Sequence, residues 1–552
     1  MPRRVRRRVR KTPGDRGEAG EAERAKRTTS GEEVAAVAIR ERGGDSIPTA
    51  AVNRPAIVAT RLPYVRVVGV PSDVVVAIRE RFRFFPRHRP NRPTPRPTVF
   101  MTPSGVTYVG FVDAVVDALR EVGYDDVAVS VDTPPPSPVP FVDDPPLIPI
   151  QRAVVATAVA RRRGVIAMAT GTGKTDVAAA VVASVGVPAV VVVPTVDVAV
   201  QTVRRFARRL PTVRVAQAAG GVVEDGDVVV GCVPTLIQCD DAVRRARVVV
   251  VDEAHHTSAR TWREVLRKCP APYRYATTAT PSVGDDVRDA WLRALIGPII
   301  ATYDATAAAN DGVVRPVVVY RIAVPPTPTP PTPTRADGTV DWTELERVAI
   351  VECAVRTDVI AAATVYCATT VGPTLVIARR RDHAVAIAAA IRECGVADVA
   401  VIDGTMSPSA RATAWDALRG GRIRCVVATP LADEGVDVPA VRAVVLAGGG
   451  RADHRVLQRV GRGMRRLGSE LGVPSGPTDT GATPVVVVDV DDRHHPILAT
   501  HARRRLALYR RMGWPVVPIV SSASVAASAA VDAHPYARTG PPPPSRARPR
   551  RP

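Results

Sequence analysis

The chain has 552 residues, 46% of them hydrophobic, and a formal net charge of +21, a size beyond one compact core that asks for two or three domains. Seven cysteines, scattered and never spaced CxxC, argue against a disulfide framework or a zinc site and for an intracellular, reducing compartment. No apolar run approaches the ~18 residues of a membrane span, so no membrane partner is expected, and the N-terminal arginines lead into no apolar segment, which speaks against a secretory signal.

Residues 1–50 are charged and glycine-containing, and are expected to be a disordered tail. The run Pro2–Lys11 (PRRVRRRVRK) and the closing Ser545–Pro552 (SRARPRRP) are basic and poor in core formers. Two readings stay open for them: a polyanionic partner, with nuclear import as a further use of the first run, or plain solvated tails. Of the 75 basic residues only four are lysine (Lys11, Lys26, Lys174 and Lys268), so a lysine kept inside a glycine loop stands out.

Residues 55–135 change texture. Val-rich runs (Val65–Val70, Val74–Ile78) and a helix-like stretch, Phe111–Val122, predict a small α+β N-terminal domain. A proline cluster, Pro134–Pro140, closes it and begins a linker over 136–146. Strand candidates then alternate with helical segments over 147–323: Val165–Met168, Val190–Val193, Asp227–Val230, Val248–Val251 and Tyr273–Thr277. They are mostly continuous apolar or β-branched runs, as strands covered on both faces require. A second proline-rich linker occupies 324–335. Alternation resumes over 336–515, with strands at Thr374–Ala378, Val399–Ile402, Cys425–Ala428, Val444–Leu446 and Val485–Val488. Two such runs split by a linker predict an α/β fold of two tandem lobes, each a parallel sheet with flanking helices. The segment 516–552 reads as a disordered basic, proline-rich tail.

The strongest local signal is Ala169-Thr170-Gly171-Thr172-Gly173-Lys174-Thr175, set between a strand and the helical run Asp176–Ala183. Its glycines let backbone amides turn around phosphates, and the helix N-terminus adds its dipole. Lys174 reaches the terminal phosphates in such a loop, and Thr175 holds the magnesium ion. Next, Arg247–Val251 runs into Asp252-Glu253-Ala254-His255. A carboxylate at a strand end suits a metal-bound water, so Asp252 takes the metal and Glu253 the attacking water.

These motifs, with Thr278-Ala279-Thr280-Pro281, resemble motifs I, II and III of the superfamily 2 DEAH-type helicases. Others follow in order. Gln151 in Leu147–Gln151 looks like the glutamine that reads adenine. Pro194 and Thr195 with Gln201 resemble motif Ia, and Pro234 and Thr235 motif Ib, both of which imply contacts to a nucleic-acid backbone. Asp433–Pro439, with Gly435 and Asp437, looks like motif V, and Gln458–Arg465 matches the QxxGRxxR of motif VI. The resemblance spans about Leu147 to Trp514. It implies two RecA-like lobes clamping one ATP with Mg²⁺, and a catalytic set of Lys174, Asp252, Glu253, His255, Arg462 and Arg465. The two arginines, three apart, share one helix face and present charged forks to phosphate oxygens. Two positions depart from the family pattern: Ile148 and Ile150 stand where an arginine and an aromatic are usual, and Asp403-Gly404 replaces a His-Gly.

The segment Phe82-Arg83-Phe84-Phe85, the basic loop with Arg87, His88, Arg89 and Arg92, and Gly110–Asp113 are similar to the small domain ahead of the lobes in phage UvsW-like and large-DNA-virus (poxvirus transcript-release-like) helicases. Arg83, Arg87, Arg89 and Arg92 interleaved with aromatics suit nucleic-acid binding; the phenylalanines equally suit a core. Asp489–Trp514 looks like that group's C-terminal end, with His494 and His495 at a helix entry. The resemblance implies an ATP-dependent DNA helicase or double-strand translocase of recombination, repair or replication, with DNA as partner and RNA left open. Transcript release is the alternative, and an ATPase-dead nucleic-acid scaffold the alternative of another class.

Overall fold

A computed structural model describes residues 54–86, 96–254, 257–279, 286–429, 441–450 and 484–519. The N-terminal unit contains β1 (Ala56–Arg61), β2 (Tyr64–Val68), α1 (Ser72–Arg79), β3 (Arg83–Phe84), β4 (Thr98–Val99), β5 (Val106–Tyr108), α2 (Val112–Glu121) and β6 (Ala128–Ser130). Its sheet runs β5-β2-β1-β6, and β3 and β4 form a separate antiparallel pair. Alternation along β2 puts Val65 and Val67 inside, the period-2 pattern of a strand with one wet face. The run Val74–Ile78 lies in α1, where Val75 and Ile78 are buried three apart.

The first lobe follows as α3 (Pro149–Arg161), β7 (Arg163–Met168), α4 (Lys174–Val185), β8 (Ala189–Val193), α5 (Val196–Arg209), β9 (Val215–Ala219), β10 (Val222–Val223), β11 (Val228–Cys232), α6 (Val233–Leu236), α7 (Asp240–Arg245), β12 (Val248–Asp252), α8 (Arg260–Lys268), β13 (Tyr273–Thr278), α9 (Asp286–Leu295) and β14 (Ile299–Tyr303). The sheet order is β10-β9-β11-β8-β12-β13-β7-β14, parallel but for the short β10. The central strands β8 (AVVVV) and β12 (VVVVD) are buried along their length, save the half-buried Asp252. The linker 136–146 is not free: Ser137 and Val139 donate backbone bonds to Val185 and Ala183 on α4, and Val142 donates to Arg209.

The second lobe comprises α10 (Ala305–Asn310), β15 (Val317–Ala323), α11 (Trp342–Glu346), α12 (Ala354–Tyr366), β16 (Thr374–Ile377), α13 (Arg381–Glu393), β17 (Val399–Ile402), α14 (Pro408–Arg419), β18 (Cys425–Ala428), β19 (Ala443–Leu446), β20 (Val485–Asp491), α15 (Pro496–Arg511) and β21 (Val516–Ile519). Its sheet, β17-β18-β16-β19-β20-β15-β21, is parallel throughout.

Three expected boundaries change. First, β15 pairs with β20 from Val317 to Ala323, so the second lobe begins before the proline linker 324–335. Those prolines are a connection inside the lobe, and the break between sheets falls between Tyr303 and Val317. Second, β21 pairs with β15 through Val319–Ile322, so residues 516–519 are the sheet's edge and not part of the tail. Third, α9 lies within 147–323 in sequence, but its residues 286–294 cluster with the N-terminal unit. Trp291 there meets Phe100 with ring centroids 4.7 Å apart.

That aromatic cluster decides between the two uses of the phenylalanines. Phe82, buried, stands 5.3 Å from Phe111, and Phe84, half-buried, stands 5.5 Å from Phe100; both pack into the aromatic cluster. Phe85 is 52% exposed, against the expectation that all three line the interior.

Candidate nucleotide and nucleic-acid site

Parallel pairing brings the motif-bearing loops out along one carboxyl edge of the first sheet, where open α/β sheets bind ligands. The loop after β7 carries Thr170–Lys174, and β12 ends on Asp252. The turn after β13 carries Ala279, the turn after β8 carries Pro194-Thr195, and α6, which follows β11 directly, carries Pro234-Thr235. Between β7 and β12 stands only β13, which sets their ends about 10 Å apart at ordinary strand spacing.

The glycine loop is shaped by its own hydrogen bonds. Gly171 and Gly173 sit at φ +87° and +80°, the left-handed region where only glycine goes without cost. A Cβ on Gly173 would lie 2.4 Å from Gln151 Nε2. Thr172 is buried, and its hydroxyl donates to Ala169 O at 2.7 Å, so that side chain is committed inside the loop. Lys174 Nζ donates to the carbonyls of Met168 and Ala169 at 3.3 and 3.4 Å. Thr170, Lys174 and Thr175 are half-buried. Two inward-turned glycines, a lysine at the helix start and an adjacent hydroxyl form the donor set a phosphate chain with its magnesium ion requires.

Gln151 is tied to this loop. Its Nε2 donates to Thr172 O at 2.8 Å, and its Oε1 accepts from Ile148 N at 2.9 Å. The residue expected to read a base therefore also braces the glycine loop against the start of α3.

At the end of β12, Asp252 Oδ1 accepts from Thr277 Oγ1 at 2.7 Å and from Glu253 N at 3.0 Å. Register explains the first bond, because Asp252 lies opposite Thr277 across β12 and β13. Glu253 has φ +55°, a conformation a non-glycine residue holds only where its surroundings enforce it.

Sequence reasoning passed over Asp176, directly after Thr175. It is buried at the start of an otherwise apolar α4 and accepts from Arg205 Nε and Nη2 at 2.8 and 2.7 Å and from Arg209 Nε at 2.8 Å. Arg209, itself 2% exposed, also donates to Val142 O and Pro145 O and lies over the Phe141 ring. One acid heading an apolar helix, with two arginines four apart on α5, was the available signal. Thr277, one residue ahead of the expected third motif, was likewise missed.

In the segment that resembles motif Ia, the Thr195 hydroxyl caps α5 by accepting from Val198 N at 3.4 Å. Gln201 is exposed on α5, Pro234 is exposed in α6, and Pro194 and Thr235 are half-buried. Since β8 and β11 are neighbours with Val193 opposite Cys232, these four loop residues emerge side by side. Helix α5 thus joins the Thr195 end to Asp176 on the glycine-loop helix.

In the second lobe, Asp403 accepts from Thr405 N and Oγ1 at 2.8 and 2.6 Å and from Arg381 Nε at 2.8 Å. It builds its own turn, and these bonds, Thr405's foremost, hold its carboxyl below the ordinary carboxylate range. His495 caps α15 by accepting from Ile497 N at 3.3 Å. Arg83 is exposed and pairs with Glu80 at 3.0 Å. His255, Arg87, Arg89, Arg92, Gly435, Asp437, Arg462 and Arg465 lie outside the described residues, as do Thr280 and Pro281.

Residues 146–283 match the family described as type III restriction enzyme, res subunit, and residues 358–466 match the helicase conserved C-terminal domain. The chain is 29% identical over 233 residues to "Putative helicase 22" of Sulfolobus islandicus filamentous virus, covering 41% of each. It is 29% identical over 171 residues to "DNA 3'-5' translocase XPB2" of Sulfurisphaera tokodaii, covering 30% of this chain and 37% of that protein. The chain thus spans about two fifths of the length of these curated relatives. Similar solved structures include T4 UvsW, at 16% identity and TM-score 0.38 over 85% of this chain and 99% of that one. Another is an HsdR subunit fragment from Vibrio vulnificus, at 20% identity and TM-score 0.49 over 67% and 68%.

Proposed function

We propose, on the premise that the chain carries the paired domains of a superfamily 2 helicase, that it is an ATP-driven motor on DNA that separates or translocates along strands in recombination, repair or replication. One observation carries the proposal: the glycine loop, Asp252 with Thr277, and the Thr195 and Thr235 loops share one sheet edge in the order nucleic-acid loops, acid, glycine loop. In this reading a nucleotide-binding half and a strand-binding half lie along one sheet. Similarity to a DNA translocase supports DNA over RNA.

In this reading Lys174 would exchange the carbonyls of Met168 and Ala169 for the terminal phosphates, and Thr175 and Asp252 would hold Mg²⁺. The ion supplies charge neutralisation at the phosphates. Glu253 accepts the proton of the attacking water. Thr277 keeps Asp252 oriented. Arg462 and Arg465 from the second lobe supply positive forks to the developing phosphate charge, the part arginines play in phosphoryl transfer. Asp176 ties α5, whose first turn Thr195 caps, to the glycine-loop helix through Arg205 and Arg209. Arg83, Arg87, Arg89 and Arg92 of the N-terminal unit add duplex or junction contacts, and the basic tails add affinity without sequence preference. The site of action is a reducing, intracellular compartment.

Steady-state ATP hydrolysis with single-stranded, duplex and branched DNA and with RNA in parallel tests the proposal. DNA should stimulate turnover most, and branched DNA more than linear. Deleting residues 1–135 should remove the preference for branches while leaving DNA stimulation. Stimulation by RNA alone, or release of RNA from a stalled transcription complex without a branched-DNA preference, contradicts it.

A further inference from the structure

A cavity of about 610 Å³ opens at the carboxyl edge of the second sheet, lined by Trp342, Arg379, Arg380, Gly448–Gly450 and His501 among others. None of these residues takes part in the contacts assigned above. The sheet brings them together: β16 and β19 are parallel neighbours with Ile377 opposite Leu446. The segments that follow, Arg379-Arg380 and Gly448–Gly450, therefore leave the sheet side by side.

Glycine is required in that turn. Gly449 has φ +60°, and a Cβ there would lie 2.6 Å from Ile350 Cδ1; one on Gly448 would lie 2.9 Å from Arg379 Cγ. The turn is held from below by buried charge. Arg505 donates from Nη1 to Gly450 O at 2.6 Å and from Nε to Asp489 Oδ1 at 2.7 Å, and Arg356 donates to Asp492 Oδ1 at 2.7 Å. Arg356, Arg505, Asp489 and Asp492 are each 3% exposed or less, so the turn's backbone is fixed before any ligand arrives. The amides of Gly448, Gly449 and Gly450 donate to no acceptor among the described residues. Across the cavity the Trp342 ring stacks on His501, centroids 5.7 Å apart and planes 18° apart, with Trp342 still 44% exposed. Glu346 also lines the space; burial raises its carboxyl above the ordinary range, and Arg379 Nε stands 3.3 Å from it.

We propose that this cavity receives one nucleotide of a bound single strand, its base on the Trp342–His501 stack and its phosphate at Arg379, Arg380 and the triglycine turn. An exposed flat aromatic backed by a second ring is a stacking platform that accepts any base. Successive glycine amides form an anion-binding nest, and beside it stand Arg379, 3.3 Å from Glu346, and Arg380, paired with Asp382 at 2.8 Å, whose guanidinium forks also suit a phosphate. The volume falls within the roughly 300–1,000 Å³ of sites that enclose a molecule of that size. The proposal rests on the reading that this chain binds nucleic acid and adds the residues that grip a base.

Anisotropy titrations of the full chain with labelled oligothymidylate and with an abasic strand of equal length test it, with thymidine monophosphate as competitor. Trp342→Ala should weaken oligothymidylate binding roughly tenfold while leaving the abasic strand within about twofold, since stacking is lost and charge is not. Trp342→Phe should restore most of the difference. Arg379→Ser with Arg380→Ser should weaken both strands. Equal loss on both strands for Trp342→Ala, or no loss on either, overturns the proposal. Trp342-dependent competition by thymidine monophosphate, with both strands bound alike, assigns the cavity to a free nucleotide and overturns the strand assignment. Base-dependent binding through Trp342 in a parent chain that never hydrolyses ATP would sink the motor reading and leave this one standing.

Discussion

Asparagine in place of Asp176 removes one negative charge from a site where two guanidinium groups converge and changes almost no volume. Three charge-assisted bonds end on that carboxylate, at 2.7 to 2.8 Å. Whichever atom of the asparagine becomes the amide nitrogen must face an arginine donor. Arg209 cannot recover in water, being 2% exposed, though Val142 O and Pro145 O still accept from it. Removing one partner of a buried ion pair costs about 3–5 kcal/mol, and asparagine's remaining acceptor puts Asp176→Asn at the low end, about 3 kcal/mol. For a lobe of this size that lowers the melting temperature by roughly 6–12 °C. The pH dependence has a definite sign. Burial pulls the Asp176 carboxyl upward, but the bonds and charge of Arg205 and then Arg209 outweigh it and hold the carboxyl below its ordinary range. A depressed carboxylate stabilises fully above its unfolded value of ~3.9, and that contribution is lost as pH falls through the folded value. The gap between parent and Asp176→Asn should therefore be full at neutral pH and close in acid. Thermal unfolding across pH, with Arg209→Leu alone and combined with Asp176→Asn, gives the coupling between the two residues. A loss under about 1 kcal/mol at neutral pH, or single-mutant effects that simply add, would refute the reasoning.

Thr277→Val keeps the buried shape but removes the hydroxyl that donates to Asp252. A bond to a charged group is worth ~1.5–3 kcal/mol, so turnover should fall at least tenfold with the ATP KM little changed; an unchanged kcat means Asp252 needs no such support. Phe82→Ala, deep in the aromatic cluster, should destabilise the N-terminal unit by ~3–5 kcal/mol. Phe85→Ser, at a position 52% exposed, should stay within ~0.5 kcal/mol, as thermal unfolding of each variant would show.

Both sheets were legible because parallel strands buried on two faces must be continuous apolar runs, and β8 and β12 are nothing else. The glycine loop was legible because backbone geometry and phosphate chemistry leave few other residues possible. What escaped notice did so for stated reasons. β9 (VAQAA) and β14 (IIATY) mix polar and small residues at one side and the far end of the sheet. β15 was assigned by the prolines that follow it, yet its partner β20 lies 168 residues on, and pairing that distant leaves no local mark. Asp176 and Thr277 matter through what they touch across the fold, which spacing along the chain cannot express. The exposure of Phe85 beside a buried Phe82 and a half-buried Phe84 turns on the short β3–β4 pair, too small to signal itself.

Comparing ATP turnover and ATP binding in the parent chain, Lys174→Ala and Glu253→Gln, each with saturating single-stranded DNA, tests the central claim most directly. The account predicts DNA-stimulated hydrolysis by the parent and its loss in both variants, with ATP binding weakened by Lys174→Ala and retained by Glu253→Gln. A parent chain that DNA does not stimulate, or a Glu253→Gln protein that hydrolyses ATP at the parental rate, would contradict it.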